Sequence, residues 1–264
     1  MENQNQGSLN LLEQCPRKFQ HVYIDQLGPY LSPEQMEGLT WGNHFHQLMQ
    51  QRELHLPIDL LAETELSLQQ HVVALTEAKP NLFVEETRAE RFSEHSRIWY
   101  SQGYGLTVVY DLLIAQPQEA HILDWKTYPQ IPNTQRLAQN WQTRLYPMVL
   151  AATSDYQPEQ ITMTYWFIPR PGPAEQVSKP QHLDFPYSTQ QYEQDQQALS
   201  QLLTQLTTYL AAHKEGTPFP QVAPDSPLCP KCPFALGCRR IPITAPATSK
   251  LLDLDQIPEV ALGD

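Results

Sequence analysis

Apolar residues recur along this chain first at helical spacing and then at strand spacing. Leu9, Leu11 and Leu12 follow Ser8, which reads as an N-cap, and Pro16 suits the first turn of a next helix carrying Phe19, Val22, Tyr23 and Leu27. Thr40 heads a third helical stretch with Phe45, Leu48 and Met49 on its apolar side, and residues 59–78 read as a fourth. The period then changes to two. Segments 82–92, 106–115 and 120–127 read as strands, with Pro117 in the turn between the last two. Leu137, Trp141, Leu145 and Val149 give residues 134–153 a helical stripe, which Pro147 should kink or interrupt. The β-branched and aromatic run 161–168 predicts another strand, 169–180 a loop, and 188–214 a long helix with a polar face. Helices, three strands, helix, strand and helix in this order predict an α/β fold, a mixed central sheet flanked by helices.

With 264 residues, 41% of them hydrophobic, the chain can bury a real core. It reads as a single domain over residues 1–240, followed by an acidic tail, 241–264, broken by prolines. No run approaches the roughly 18 consecutive apolar residues of a membrane span, and the first residues lack a signal peptide's basic and apolar segments. A cytoplasmic protein without a membrane partner is expected. The net charge of −12 argues against coating nucleic acid by bulk electrostatics, although a local basic groove with a divalent cation remains compatible with it. There is no GxxxxGK[ST], so no nucleotide-driven motor is encoded.

The candidate chemistry lies in the strand region. Asp111 interrupts the apolar run 106–115, where a period of two puts it on the face of Val109 and Leu113. In the next strand Asp124 and Lys126 share one face, and Leu123 and Trp125 the other. If the two strands pair through the turn at Pro117, Asp111 and Asp124 converge with Lys126 beside them. Two carboxylates make a hard oxygen site suited to Mg²⁺ or Mn²⁺, and Lys126 can position a water or neutralise charge on a phosphate. Gln142 and Tyr146, at i and i+4, share a face of the following helix. His46 closes Gly42-Asn-His-Phe-His46 on an earlier helix, and His44 competes with it.

The order Gly42-x-x-x-His46, Asp111, Asp124-Trp-Lys126 and Gln142-x-x-x-Tyr146 resembles the motif series of RecB-like PD-(D/E)XK nucleases. Cys15-Pro-Arg-Lys-Phe19 resembles the opening of their iron-sulfur branch, and the resemblance spans most of residues 8–240. It implies a restriction-endonuclease-like core and a metal-dependent DNA nuclease, an exonuclease acting on single strands or duplex ends. It also implies His46, Asp111, Asp124 and the Trp125 carbonyl as metal ligands, Lys126 as the catalytic lysine, and Gln142 and Tyr146 as orienting residues. A helicase or another DNA-processing protein is a possible partner. The rival reading is a non-catalytic, metal-stabilised nucleic-acid-binding or scaffolding subunit.

All four cysteines enter one pattern, Cys15 and then Cys229-x2-Cys232-x5-Cys238. In a cytosolic chain four thiolates around a metal are favoured over two disulfides. The split spacing resembles that of CRISPR-associated RecB-like exonucleases and the AddB nuclease domain, which implies a [4Fe-4S] cluster joining the termini; zinc is the alternative. Arg17, Lys18, Lys231, Arg239 and Arg240 flank these cysteines and form a candidate basic patch for a DNA backbone.

Overall fold

The computed structural model describes residues 3–28, 33–56, 63–79, 89–127, 131–168 and 179–240. The chain divides into two units, Met1–Pro220 and Gln221–Asp264. In the first, strands β1 (Asn3–Gln4), β2 (Glu90–Ser101), β3 (Tyr104–Ala115), β4 (Ala120–Lys126), β5 (Ile161–Phe167) and β6 (Gln181–Pro186) form one mixed sheet. β3 is its hub. β2 runs antiparallel to it along one edge, while the other edge is shared by β1, parallel at Gly105 and Leu106, and β4, antiparallel from Leu112 to Ala115. β4 continues parallel to β5, which pairs antiparallel with β6.

Helices cover both faces. On one, Leu9 and Leu12 of α1 (Gln6–Gln14), Phe19 of α2 (Pro16–Phe19), Trp141 and Leu145 of α6 (Trp141–Ala152) and Leu203 of α7 (Thr189–Lys214) bury Val108, Tyr110, Ile122 and Met163. On the other, Trp41, Phe45 and Met49 of α3 (Pro33–Glu53) and Leu68, Val72 and Leu75 of α4 (Glu63–Ala78) bury Leu112, Leu123, Trp125 and Trp166. Each such side chain stabilises the fold by roughly 1.5–3 kcal/mol through the apolar area it removes from water. The short helix α5 (Thr134–Ala138) precedes α6, and α6 is tied to α7 by Arg144 Nε, which donates to the buried Asp195 carboxylate at 2.6 Å.

Several local expectations change. Asn5, not Ser8, caps α1: its side chain accepts from the Ser8 N–H, and the Ser8 hydroxyl takes the Asn5 N–H, a reciprocal capping box. Thr40 lies inside α3, its hydroxyl donating back to the Met36 carbonyl. Helix α2 runs on into a π-helical turn, Gln20–Ile24. The expected 134–153 helix breaks at Gln139–Asn140, where Asn140 caps α6 and Asn10 of α1 pairs with both the Asn140 side chain and the Trp141 N–H; the helix continues through Pro147. β2 extends to Ser101 through a polar stretch, and β6, also polar, lies between the expected loop at 169–180 and the helix from 188, where no element was predicted. The tail 241–264, and the parts of the expected elements at 59–62, 82–88 and 169–178, lie outside the described residues.

Candidate active site

The site forms where β3 and β4 part. Their pairing stops at Leu112 and Leu123, one residue short of Asp111 and Asp124, so the backbone there no longer takes its partner from the neighbouring strand. The Asp111 carboxylate fills that role: its Oδ2 accepts the Trp125 N–H at 2.7 Å. Farther along, the same edge of β3 is taken up by β1. A buried acid thus sits in a notch between two strands, held by a backbone donor.

Face alternation is lost at the same point. Leu106, Val108 and Tyr110 face the α1, α6 and α7 side, yet beyond Asp111 it is Leu113 that faces that side, and Leu112 and Ile114 face α3 and α4. The expectation that Val109, Asp111 and Leu113 share one face is therefore corrected: the phase slips by one residue at Asp111. Opposite it on β2 stands Glu94, between the pairs Ser93 with Leu112 and His95 with Tyr110, and its φ of +50° takes it out of strand geometry. The two irregular residues face each other.

Helix α3 delivers the imidazole. Gly42 is buried, and a Cβ there would stand 3.0 Å from Thr127 Oγ1 just past the end of β4, so α3 approaches the sheet closely at this position and the Thr127 side chain would have to give way to a larger residue. One turn later His46 Nε2 lies 3.0 Å from the Trp125 carbonyl, and Nδ1 lies 3.3 Å from Asp111 Oδ1 and 4.0 Å from Glu94 Oε1. His44 is exposed on the same helix, so His46 is the one at the site. A carbonyl only accepts, so Nε2 carries the proton and Nδ1 faces the acids. The Trp125 carbonyl, which the motif resemblance places on a metal, here holds the imidazole.

From the opposite side α6 brings Gln142 and Tyr146. Gln142 Nε2 donates to Asp124 Oδ2, and the Lys126 ammonium pairs with Asp124 Oδ1. Tyr146 hydrogen bonds with the Gln142 side chain and the Val109 backbone. Lys126 also lies 5.4 Å from the centre of the Tyr165 ring. Beyond these groups opens a cleft of about 570 Å³ lined by His46, Glu94, Lys126, Asn43, Gln47 and Gln50.

Burial sets the electrostatics. Asp124, 2% exposed, is pushed up to about 7 by desolvation in spite of Lys126, and the negative charge of Asp111 adds to the rise. Burial alone would lower the His46 pKa, but the hydrogen bond and charge of Asp111, with Asp124 and Glu94, outweigh it and raise it. Glu94 is raised by burial and then by Asp111. Desolvation and the Asp124 charge keep the Tyr146 phenol protonated far beyond neutral pH.

The sequence reading missed Glu94. Ser101-Gln-Gly-Tyr104 is a two-residue hairpin turn with positive φ at Gln102 (+49°) and Gly103 (+84°), and it sets Ser101 against Tyr104. Counting back from that turn puts Glu94 across from Asp111, a signal that was available in the residues themselves. The donor set fits a hard divalent cation. His46, Glu94 and Asp111 each offer an atom within 4.8 Å of the others, the one such group of three found among the described residues.

Cys15, Cys229, Cys232 and Cys238 form no disulfide, and each is half-buried. Cys15 ends α1 and precedes Pro16 in the first unit. In the second unit Cys229, Cys232 and Cys238 lie on successive turns, with the Cys232 N–H donating to the Cys229 carbonyl. Of the flanking cations, Arg17 Nε donates to the Phe219 carbonyl and Arg240 to that of Val222.

The sequence profile of the PD-(D/E)XK nuclease superfamily matches residues 5–239. A crystal structure of a candidate exonuclease from Eubacterium rectale is similar in fold, with a TM-score of 0.57 over 96% of this chain and 94% of that one at 10% identity. No curated protein matches the chain in sequence. The match over most of the chain, on a mixed sheet flanked by helices, shows that it belongs to the PD-(D/E)XK nuclease superfamily.

Proposed function

We propose that this protein is a divalent-metal-dependent DNA nuclease, an exonuclease that hydrolyses phosphodiester bonds at single strands or duplex ends. The observation that carries the reading is the notch between β3 and β4, where Asp111, Asp124, Lys126 and His46 meet at the mouth of a cleft. His46, Asp111 and Asp124 would hold Mg²⁺ or Mn²⁺, with the Trp125 carbonyl fixing the imidazole. When bound, such an ion polarises a phosphoryl oxygen and makes water acidic enough to attack at neutral pH. Asp111 is kept in place by the Trp125 N–H, and Gln142 holds one Asp124 oxygen so that the carboxylate cannot rotate away. The Lys126 ammonium stands where it can neutralise charge that develops on the phosphate. Tyr146, protonated throughout the physiological range, braces Gln142.

The test is digestion of end-labelled single-stranded and duplex DNA with Mg²⁺ or Mn²⁺, against the chelated control. Release of nucleotides from ends, lost in Asp111→Ala and Asp124→Ala variants that still fold, is the expected result. DNA binding without hydrolysis would establish the scaffolding alternative.

For the RecB-like iron-sulfur branch, we propose that Cys15, Cys229, Cys232 and Cys238 bind a [4Fe-4S] cluster. Besides the spacing, the end of the first unit supports it: the Arg17 N–H, two residues from Cys15, donates to the Pro220 carbonyl at 3.0 Å. Chain leaving that point has nine residues in which to bring Cys229 back. Anaerobically purified protein should be brown with about four irons per chain. One tightly held zinc in colourless protein would replace the cluster and leave the nuclease reading intact.

A further inference from the structure

We infer that Glu94 is a protein ligand of the catalytic cation, binding the same ion as His46 and Asp111; the inference rests on the nuclease reading of this site. Three observations lead to it. First, the acids have different neighbours. Both oxygens of Asp124 are engaged, one by Gln142 and the other by Lys126, whereas Asp111 spends only Oδ2 on the Trp125 N–H and turns Oδ1 toward His46. Second, the His46 ring is oriented for the task. With its Nε2 proton committed to the Trp125 carbonyl, Nδ1 is the nitrogen turned toward Asp111 Oδ1 and Glu94 Oε1, where it can offer a lone pair to an ion once its own proton has left. Third, these three groups, and not Asp124, are the ones whose donor atoms gather within 4.8 Å.

The placement of Glu94 costs the fold something that a solvated strand residue would not. A glutamate at φ +50° is in a region that favours glycine, and it faces a buried aspartate of the same charge. Both costs are offset when a cation lies between the carboxylates. Asp124, with one oxygen on Gln142 and the other on Lys126, holds the ammonium at the site. The ligand set is one imidazole nitrogen with carboxylate oxygens, which Mn²⁺ accepts readily.

The experiment measures Mn²⁺ binding to the full chain by titration calorimetry and by the electron-spin signal of free Mn²⁺, for wild type, Glu94→Gln, Glu94→Gly and Asp111→Asn. Glu94→Gln should weaken Mn²⁺ by tenfold or more, and Asp111→Asn by at least as much. Glu94→Gly should weaken Mn²⁺ equally while melting above wild type in chelator, a split that a merely structural role would not produce. If Glu94→Gln binds Mn²⁺ less than fivefold weaker than wild type while Asp111→Asn loses it, Glu94 is no ligand and the nuclease site stands without it. If Asp111→Asn also leaves binding unchanged, the metal reading of the whole site falls, and the inference with it.

Discussion

Asp124 carries an unusual burden for one residue. Its carboxyl is buried and titrates near 7, above the value of an unfolded aspartate, so folding favours the protonated form. That contribution to stability is complete below about pH 4 and is lost as the pH rises through about 7. In chelator, wild type should therefore lose melting temperature between pH 5 and pH 8, and Asp124→Asn should lose less; equal slopes would show that another group dominates. The same shift sets the cation's pH dependence. Binding must displace the Asp124 proton, so Mg²⁺ affinity should climb from pH 6 to 8 and then level off, as calorimetry at fixed ionic strength can check. Lys126→Ala separates the two halves of the site. It removes the charge expected to act on the phosphate while His46, Asp111 and Glu94 remain, so turnover should fall by about 10²-fold or more with Mn²⁺ affinity nearly kept. Tight coupling of the two losses would place Lys126 in ion binding instead.

At the level of elements, what was legible was whatever a single strand or helix encodes on its own. The apolar run of β3 and the Asp-x-Lys spacing of β4 could be read directly, and so could the i, i+4 pair on α6, because each is a local periodicity. What escaped depends on pairing. Residues 93–97 of β2 are a continuous polar run and Ile98 and Tyr100 are exposed, as an edge strand of the sheet allows, and β6, at the other edge, is largely polar as well. The facing of Glu94 and Asp111 becomes legible only when the register is counted back from the turn, since an irregular pair otherwise looks like any two acids. The turn at Gln102 and Gly103 holds that register. Gly103→Val puts a β-branched residue at φ +84°, with an expected loss of about 1–2 kcal/mol in urea unfolding, and it should weaken Mn²⁺ as well because Glu94 depends on the same alignment. A variant destabilised to that extent with wild-type Mn²⁺ affinity would show that Glu94 is positioned by its own neighbours and not by the hairpin.

For the whole molecule, Cys15 lies in the first unit and Cys229, Cys232 and Cys238 in the second. Cys15→Ala should remove the colour of anaerobic protein and make the segment after Pro220 more sensitive to protease, while the Asp111 site of purified protein keeps its Mn²⁺ affinity. Retained colour in that variant would exclude Cys15 as a ligand. A different tie between the two ends of the first unit has a consequence for how the protein is made. Phe219 stacks on Phe19 at 6.0 Å, its N–H donates to Gln20 Oε1, and its carbonyl and that of Pro220 take the side chain and N–H of Arg17. On a ribosome α2 emerges long before these partners, which are encoded some two hundred residues later. Until Phe219 has left the tunnel, the Phe19 side of α2 therefore lacks these partners, which makes it a candidate chaperone site on the nascent chain. Chains stalled at Gly216 should stay cleavable around residues 15–24 by added protease, and chains stalled well beyond residue 220 should not.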